Sequence, residues 1–329
     1  MRKIKWGVMG TAYIFERDTA RGMQLADNCE LTAIAGRNMA KAEAFKEQYG
    51  FKRAYGSYEE LINDPEIEAI YIPLPNTMHY EWTIKALKRG KHVLCEKPLA
   101  PTAEEAEEMF RTAEENHIFL MEAFAYQHSP YIKELKTLID SGAIGELRYV
   151  EAALITSDYD PANIRMRRET LGGCMYDLGV YAASFVQRMI GEKPEKIGAV
   201  STFSEEGIDT FTTAVFEYKS GLKAHIDCGM VLETEKNRSL DRFQLHGSKG
   251  SVVSENFGFN APGTLSYVLR TFDGKEECRT VEVPNNYCLE VEQLGRCITG
   301  EETPYVTGKF SVDLADTVDR ILETTGYGR

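Results

Sequence analysis

Short apolar runs alternate with amphipathic stretches of helical period between residues 4 and 123. This alternation is typical of parallel strands joined by crossover helices, because strands buried on both faces are apolar throughout. Gly90 follows one amphipathic stretch and is expected to end a helix. The pattern predicts strands at 4–9, 31–35, 69–72, 92–95 and 118–121, and helices that include 40–49 and 80–89. Residues 1–122 are therefore predicted to form a parallel α/β domain.

The pattern changes after Tyr131, where strand-like segments follow one another through short turns. The predicted strands are 146–155, 197–203, 211–218, 222–228 and 243–246. Glycine-containing turns at 219–221 and 247–250 favour hairpins, and an amphipathic helix is expected at 311–324. A chain of 329 residues is long enough for two cores. Residues 123–329 are predicted to form a second α/β domain with an open, largely antiparallel sheet.

Charge and cysteine content narrow the classes of partner and compartment. The chain has 51 acidic and 38 basic residues, and its formal charge of -13 disfavours binding to nucleic acid or an anionic membrane. The expected partner is a small molecule. Seven cysteines without a C-x-x-C pair indicate reduced thiols rather than a zinc site, and no metal is predicted. The N-terminal apolar run is too short for a signal peptide, and no run approaches ~18 apolar residues. A soluble cytoplasmic protein is expected.

A glycine-containing loop follows the first predicted strand. Gly7, Gly10 and Ala12 form a degraded G-x-G-x-x-G pattern ahead of a helix expected to begin near Ile14. Such a loop brings backbone N–H groups and a helix N-terminus close to a pyrophosphate. Gly10, Ala12, Tyr13 and Ile14 are candidate cofactor-binding residues, and an ordinary tight turn is the alternative.

The end of the second predicted strand carries Gly36, Arg37 and Asn38, where NAD-binding proteins place a carboxylate for the adenosine ribose. An arginine fork at this position suits the 2′-phosphate of NADP, and Lys41 adds a second positive charge. Arg37, Asn38 and Lys41 therefore predict NADP in preference to NAD. The alternative is that Arg37 is a solvated loop cation.

Two further loops follow the next predicted strands. The first runs from Pro73 to His79, and its prolines stop strand pairing near the expected nicotinamide position. His79 is either a cofactor contact or a capping or packing residue. The second loop carries Glu96 and Lys97 at the end of an apolar strand, where a lysine side chain can face a cofactor. The candidate cofactor-binding residues of these loops are Pro73, Leu74, Asn76, His79, Glu96 and Lys97.

Lys97, Asp177 and Tyr181 are the candidate catalytic residues. Asp177 and Tyr181 lie four residues apart on a predicted helix and are expected to share one face. A phenol has a pKa of about 10 in water, and a nearby ammonium lowers it, which suits Tyr181 for proton transfer during alcohol oxidation or carbonyl reduction. Asp177 would orient a substrate hydroxyl or the tyrosine. The alternatives are a surface lysine and a buried helix aromatic with a satisfied hydroxyl.

These motifs together resemble the glucose-fructose oxidoreductase, inositol dehydrogenase and rhizopine catabolism (Gfo/Idh/MocA) family. The resemblance covers residues 6–181 most strongly and rests on 95–98, 73–79, and the Gly172-Gly173 pair followed by Asp177 and Tyr181. It is closest to the branch of dimeric dihydrodiol dehydrogenases and NADP-dependent D-xylose dehydrogenases. It implies a Rossmann domain, NADP, hydride transfer with Lys97 and Tyr181, and a homo-oligomer, dimer or tetramer, formed through the open sheet.

Two departures from the family pattern affect the expected ligands. Ala12 replaces a usual glycine, and Ala125 with Tyr126 replaces the larger aromatic residue that the dihydrodiol enzymes place beside the substrate. A sugar-like or small polyol substrate is therefore expected rather than an aromatic dihydrodiol. Arg165, Arg167 and Arg168 either reach an anionic substrate or form a solvated cationic turn. The candidate substrate-binding residues are Lys97, Tyr126, Arg165, Asp177 and Tyr181.

Three functions are compatible with these residues. The first is an NADP-dependent dehydrogenase or reductase acting on a secondary hydroxyl or carbonyl of a sugar-like molecule. The second is a glycosidase that oxidises, eliminates and re-reduces with retained NAD, which Arg37 disfavours. The third is a nucleotide-sensing protein without turnover, which needs neither Lys97 nor Tyr181.

Overall fold

The computed structural model of the protein describes residues 2–156, 160, 162–231, 240–254 and 262–328. The chain divides into two compact units. The first unit consists of Met1–Ser129 and Pro284–Val312, and the second of Pro130–Val283 and Asp313–Arg329. A Rossmann sheet in the first unit and a mixed sheet in the second confirm the predicted fold class.

The first unit is built on a six-stranded parallel sheet with the order β3-β2-β1-β4-β5-β6. Its strands are β1 (Ile4–Met9), β2 (Cys29–Ala35), β3 (Arg53–Tyr55), β4 (Ala69–Ile72), β5 (His92–Glu96) and β6 (Leu120–Ala123). The four central strands are almost wholly buried, which explains their apolar sequences. The strand order reverses between β1 and β4, so the ligand crevice of such a sheet lies at the carboxyl ends of these two strands.

Helices connect the strands of the first unit. The helix after β1 begins as a π-helical turn, Phe15–Thr19, and continues as α1 (Ala20–Leu25). The other helices up to β6 are α2 (Met39–Tyr49), α3 (Tyr58–Asn63), α4 (Asn76–Lys88) and α5 (Ala103–Glu115). A 3-10 turn, Ala125–His128, follows β6. Gly90 has a left-handed φ of 73° directly after α4, as its predicted role as a helix stop requires.

The second unit contains an eight-stranded sheet with the order β14-β13-β12-β11-β7-β10-β9-β8. Every neighbouring pair is antiparallel except β7 with β10. The strands are β7 (Leu147–Ile155), β8 (Lys196–Phe203), β9 (Asp209–Glu217), β10 (Lys223–Gly229), β11 (Leu240–Gly247), β12 (Gly250–Ser254), β13 (Gly263–Thr271) and β14 (Glu276–Val283). Both predicted hairpins, β9–β10 and β11–β12, are confirmed.

The second unit also contains α6 (Pro130–Asp140) and α7 (Val180–Ile190). A π-helical turn, Met175–Gly179, runs directly into α7, as one does into α1. Two 3-10 turns, Ile164–Met166 and Arg168–Thr170, precede it. The last two helices of the chain are α8 (Asn286–Ile298), in the first unit, and α9 (Gly308–Thr325). No helix within the described ranges is long and apolar enough to cross a membrane.

This division of the chain differs from the predicted single boundary after residue 122, because α8 belongs to the first unit. The side-chain amide of Asn28 donates to the carbonyl of Glu292 at 2.8 Å, and the Tyr287 hydroxyl donates to Asp18 at 3.3 Å. Gly22 of α1 lies so close to Tyr287 that a Cβ there would overlap it. The chain therefore completes the first unit only after it has passed through the sheet of the second.

Candidate active site

The loop after β1 has the geometry of a close-approach glycine turn. Gly10 has a φ of +112°, and a Cβ on it would lie 3.1 Å from a methyl group of Leu74. The Gly10 N–H donates to the carbonyl of Ala35 at 2.8 Å, which fixes the loop to the end of β2. Ala12 and Ile14 are half-buried at the start of the following helix, and Tyr13 is 67% exposed. The first N–H groups of this helix lack intrahelical acceptors, as at any helix start.

Basic side chains surround the ends of β1 and β2. Arg37 is exposed, and its charge and hydrogen bond act on the Tyr58 phenol, where they oppose the larger effect of burial that raises the Tyr58 pKa. The ammonium of Lys41 donates to the carbonyl of Thr11 at 2.8 Å, so it holds a positive charge beside the glycine loop. Asn38 is the N-cap of α2, and its Oδ1 accepts from the Lys41 N–H at 3.1 Å.

His79 joins two of the loops at this edge of the sheet. Its side chain is fully buried, and its Nδ1 and Nε2 lie 2.8 Å from the carbonyl oxygens of Pro98 and Leu74 respectively. Burial lowers the pKa of His79, while the two backbone contacts act in the opposite direction. Both ring nitrogens thus lie against protein carbonyls, as in the packing role, and the predicted cofactor contact of His79 stays a prediction. Pro73 and Leu74 are buried beside it, and Asn76 begins α4.

The segment that carries Lys97 is held by acidic side chains. Glu96 is buried, its Oε1 accepts from the Tyr71 hydroxyl at 2.5 Å, and its Oε2 accepts from the Lys97 N–H at 3.3 Å. Glu122 on β6 accepts from the Leu99 N–H at 2.9 Å. Burial raises the pKa of Glu122 to about 7. The half-buried side chain of Lys97 therefore extends from a backbone fixed on both sides.

Glu122 and Tyr71 were not among the candidate site residues predicted from the sequence, because each stands inside an otherwise apolar strand. A polar residue inside such a run was the available signal. Buried polar groups are normally hydrogen-bonded, so a glutamate inside β6 indicates that its carboxyl group has a hydrogen-bond partner in the protein.

Asp177 and Tyr181 lie in the second unit, on the continuous helix formed by the π-helical turn and α7. Asp177 pairs with Arg165, whose Nε lies 2.8 Å from Asp177 Oδ1. Tyr181 is 9% exposed and lies one residue into α7. The prediction that Lys97 and Tyr181 act together involves both units, and it stays a prediction.

The other residues proposed for substrate contacts have different surroundings. Tyr126 is fully buried in the first unit, and its hydroxyl accepts from Gln127 at 2.6 Å. Arg168 donates to the carbonyls of Gly207 and Gly328, at 3.1 and 2.6 Å. Arg167 donates to the Ala162 carbonyl at 3.3 Å. Arg167 and Arg168 thus brace the turn, whereas Arg165 is directed at Asp177.

The residues at the carboxyl edge of the first sheet fit a dinucleotide. Gly10 has a positive φ and little room for a Cβ, so the backbone of its loop can approach a pyrophosphate closely beside a helix start. Arg37 and Lys41 add positive charge. Arg37 at the end of β2, in place of a carboxylate, matches a ribose phosphate in charge. The fold and this site define a Rossmann-type nicotinamide-dinucleotide oxidoreductase with a second unit built on a mixed sheet.

Comparison with known proteins identifies the family. The profile described as "Oxidoreductase family, NAD-binding Rossmann fold" (GFO_IDH_MocA) matches residues 4–124, and the "GFO/IDH/MocA C-terminal domain" profile matches residues 132–253. The chain belongs to the Gfo/Idh/MocA oxidoreductase family, as its motifs predicted, and it is an oxidoreductase.

Relatives of known activity cover almost the whole chain. D-xylose 1-dehydrogenase (NADP(+)) 2 of Haloferax volcanii is 33% identical over 98% of each protein. The trans-1,2-dihydrobenzene-1,2-diol dehydrogenase of Xenopus laevis is 30% identical over 98% of each. Among solved structures, the 3-ketoreductase KijD10 of Actinomadura kijaniata, in complex with NADP and TDP-benzene, superposes with a TM-score of 0.90 at 27% identity, covering 98% of each chain.

Proposed function

We propose that the protein is an NADP-dependent oxidoreductase that transfers a hydride between the nicotinamide and a secondary hydroxyl or carbonyl of a sugar-like substrate. The observation that carries this proposal is the set of side chains at the carboxyl edge of the first sheet. Arg37 follows β2, the Gly10 loop follows β1, and Lys97 follows β5. Parallel strands place all three at one edge, where a dinucleotide extends from its adenosine to its nicotinamide.

The preference for NADP rests on charge. Arg37 and Lys41 provide two cations near the end of β2, and the residues from 36 to 38 include no carboxylate that would repel a 2′-phosphate. A guanidinium binds phosphate oxygens through two parallel hydrogen bonds, which makes the pairing strong and directional. The xylose dehydrogenase relative is named as NADP-dependent, and the KijD10 complex contains NADP, which supports the same choice here.

The proton transfer is proposed for Lys97 and Tyr181. The chemistry that NADP supplies when bound is hydride transfer to or from a carbon atom. The accompanying proton is gained or lost by the oxygen of that carbon: the Tyr181 hydroxyl donates it during reduction, and the Tyr181 phenolate accepts it during oxidation. The ammonium of Lys97 stabilises the negative charge that develops on the oxygens. Asp177, held by Arg165, accepts a hydrogen bond from a neighbouring substrate hydroxyl.

The substrate class follows from what the named ligands of the relatives share. D-xylose and trans-1,2-dihydrobenzene-1,2-diol both carry adjacent hydroxyl groups, and a 3-ketoreductase acts on a carbonyl. A carboxylate acceptor such as Asp177 next to a proton donor suits a molecule that offers a second hydroxyl beside the reacting carbon. We therefore propose a sugar or a small polyol, and place the reaction at one of its secondary positions.

A panel of aldoses, ketoses and small polyols, incubated with NADPH or NADP⁺ while nicotinamide absorbance is followed, tests this function. Steady cofactor turnover is expected with at least one member. Lys97→Met is expected to reduce kcat by on the order of 10³-fold, because the charge that supports proton transfer is lost, while NADPH affinity measured by fluorescence changes little. Lys88→Met, an exposed lysine at the end of α4, is the matched control and should retain full activity.

Two results would contradict the proposal. Release of reducing sugar from glycosides without net change in the cofactor would indicate the redox-elimination glycosidase. Tight NADPH binding with no turnover on any substrate would indicate the nucleotide sensor. Wild-type turnover by Lys97→Met would remove Lys97 from the mechanism while leaving the oxidoreductase function in place.

A further inference from the structure

Asp209 lies beneath the start of the helix that carries Asp177 and Tyr181. It is the first residue of β9, and its side chain is fully buried. Its Oδ2 accepts three hydrogen bonds: from the Met175 N–H at 2.7 Å, from the Cys174 thiol at 3.0 Å and from the Thr212 hydroxyl at 3.1 Å. Two of these donors belong to the residues at which the helix begins. A single carboxylate oxygen therefore connects the helix start to the sheet.

The glycine pair ahead of the helix is shaped around this carboxylate. Gly173 has a φ of +120°, and a Cβ on it would overlap Asp209 Oδ1. A Cβ on Gly172 would overlap the carbonyl of Arg165. Gly173 thus meets two requirements at once, a left-handed backbone and contact with Asp209, and it supplies a physical reason for the Gly172-Gly173 motif seen in the sequence.

Further side-chain contacts around Asp209 connect the helix start to the sheet. The Sγ atoms of Cys174 and Cys228 are 3.6 Å apart, and Cys228 lies on β10. The Thr212 hydroxyl, which donates to Asp209, lies 2.6 Å from the Ser201 hydroxyl on β8. Three adjacent strands therefore contribute to the cluster that surrounds the helix start.

Asp209 is suited to hold a helix N-terminus by charge as well as by shape. The first N–H groups of a helix carry partial positive charge, and an anion near them is stabilised. Burial raises the pKa of Asp209 to about 6, and the hydrogen bonds from Cys174, Met175 and Thr212 limit this rise. The groups that face it are the thiols of Cys174 and Cys228 and the Tyr327 phenol. The guanidinium of Arg168 lies 5.9 Å from the Tyr327 ring centroid.

We infer that Asp209 is a positioning residue for the reaction proposed above: its ionised carboxylate fixes the first turn of the helix and thereby the placement of Asp177 and Tyr181. Met175 is two residues before Asp177 and six before Tyr181 on one continuous helix, so a shift of this turn displaces both side chains. Misplacement of reacting groups by about 1 Å reduces rates by on the order of 100-fold. The inference rests on the proposed function for its kinetic consequence only.

The test compares Asp209→Asn with the wild type. The asparagine keeps the shape of the side chain and removes its charge. We expect kcat to fall on the order of 10- to 100-fold while the KM for NADPH is unchanged, because the predicted cofactor residues lie in the first unit. The wild type should also lose activity below about pH 6, as Asp209 is protonated, and this loss should be absent from the variant.

Thr212→Val supplies a second, milder variant that retains Asp209. It removes one hydrogen bond that favours the ionised carboxylate, so the acid-side loss of activity should move to higher pH. The matched control is Asp227→Asn on neighbouring β10, where Oδ1 accepts from the Thr213 hydroxyl at 2.7 Å. This control is expected to leave kcat and the pH profile unchanged.

Hydrogen–deuterium exchange of the peptide that covers residues 172–181 separates the two proposals. Faster exchange in Asp209→Asn than in the wild type is expected whether or not a substrate is found. A wild-type protein that turns over no substrate contradicts the proposed function alone. Wild-type kcat, pH profile and exchange in Asp209→Asn would overturn the positioning role of Asp209.

Discussion

At the scale of single residues, the choice between the two nicotinamide dinucleotides depends on Arg37. Arg37→Glu replaces the cation after β2 with the carboxylate that accepts ribose hydroxyls and repels a phosphate. We expect the KM for NADPH to rise on the order of 100-fold and the KM for NADH to fall, measured with the best substrate of the panel. Arg89→Glu is the charge-matched control, because Arg89 ends α4 at the opposite edge of the sheet. An unchanged cofactor preference in Arg37→Glu would refute the role of Arg37.

The chemistry of individual residues could be predicted where it follows from position along a strand. Arg37 and Lys97 stand directly after apolar runs, so the sequence alone places them at the carboxyl edge of a parallel sheet. Asn38 and His79 stand in equally suggestive places and also make contacts within the protein, one as an N-cap and the other between two carbonyls, so their cofactor contacts stay predictions. A pattern of residue types does not say whether a polar atom meets a ligand or the backbone.

At the scale of secondary-structure elements, Glu122 couples β6 to the segment after β5 through the Leu99 N–H. Burial raises its pKa from 4.5 in the unfolded chain to about 7 in the folded protein. The folded state therefore binds this proton more tightly, and the resulting stability is present below about pH 4.5 and lost as pH rises through 7. The loss amounts to about 3 kcal/mol, because each pKa unit corresponds to about 1.36 kcal/mol.

Glu122→Gln removes this titration while keeping an oxygen that accepts from Leu99. We therefore expect the Tm of the variant relative to the wild type to increase from pH 5 to pH 8, measured by differential scanning calorimetry. Glu107→Gln changes an exposed carboxyl of α5 and serves as the control, with a Tm difference that stays constant. A constant difference for Glu122→Gln as well would show that Glu122 carries the same charge in the folded and unfolded states.

The elements with regular apolar patterns were predictable, and the others were not. Strands β1 and β4 match the predicted segments residue for residue. Strand β3 has only three residues, all half-buried, and β14 (EECRTVEV) is mostly exposed, so neither presents an apolar run. Helix α4 begins four residues before the predicted 80 because Pro75 acts as its N-cap, with Asn76 as the first helical residue.

At the scale of the whole molecule, the order of segments along the chain differs from their order in space. The first unit is predictable as a parallel sheet from its first 123 residues, yet it also includes Pro284–Val312. The amphipathic pattern of α8 shows that one face is buried but not which sheet it covers. Val291 and Leu294 of α8 are fully buried, and each contributes about 1.5–3 kcal/mol by leaving water.

A chain of residues 1–129 alone is therefore expected to be unstable, because the surface that α8 covers is exposed to water. Joining 1–129 to 284–312 through a glycine-serine linker of about 15 residues should restore a cooperative thermal transition and NADPH binding, measured by circular dichroism and fluorescence. The ring of His128 lies 5.8 Å from that of Tyr305, which places the two segments side by side. The same joined chain with Val291→Ser and Leu294→Ser is the control and should lose the transition. A cooperative transition of 1–129 alone at the temperature of the joined chain would contradict the need for α8. Loss of the transition in 1–129 alone would show that the dinucleotide fold is completed only after the second sheet has been synthesised.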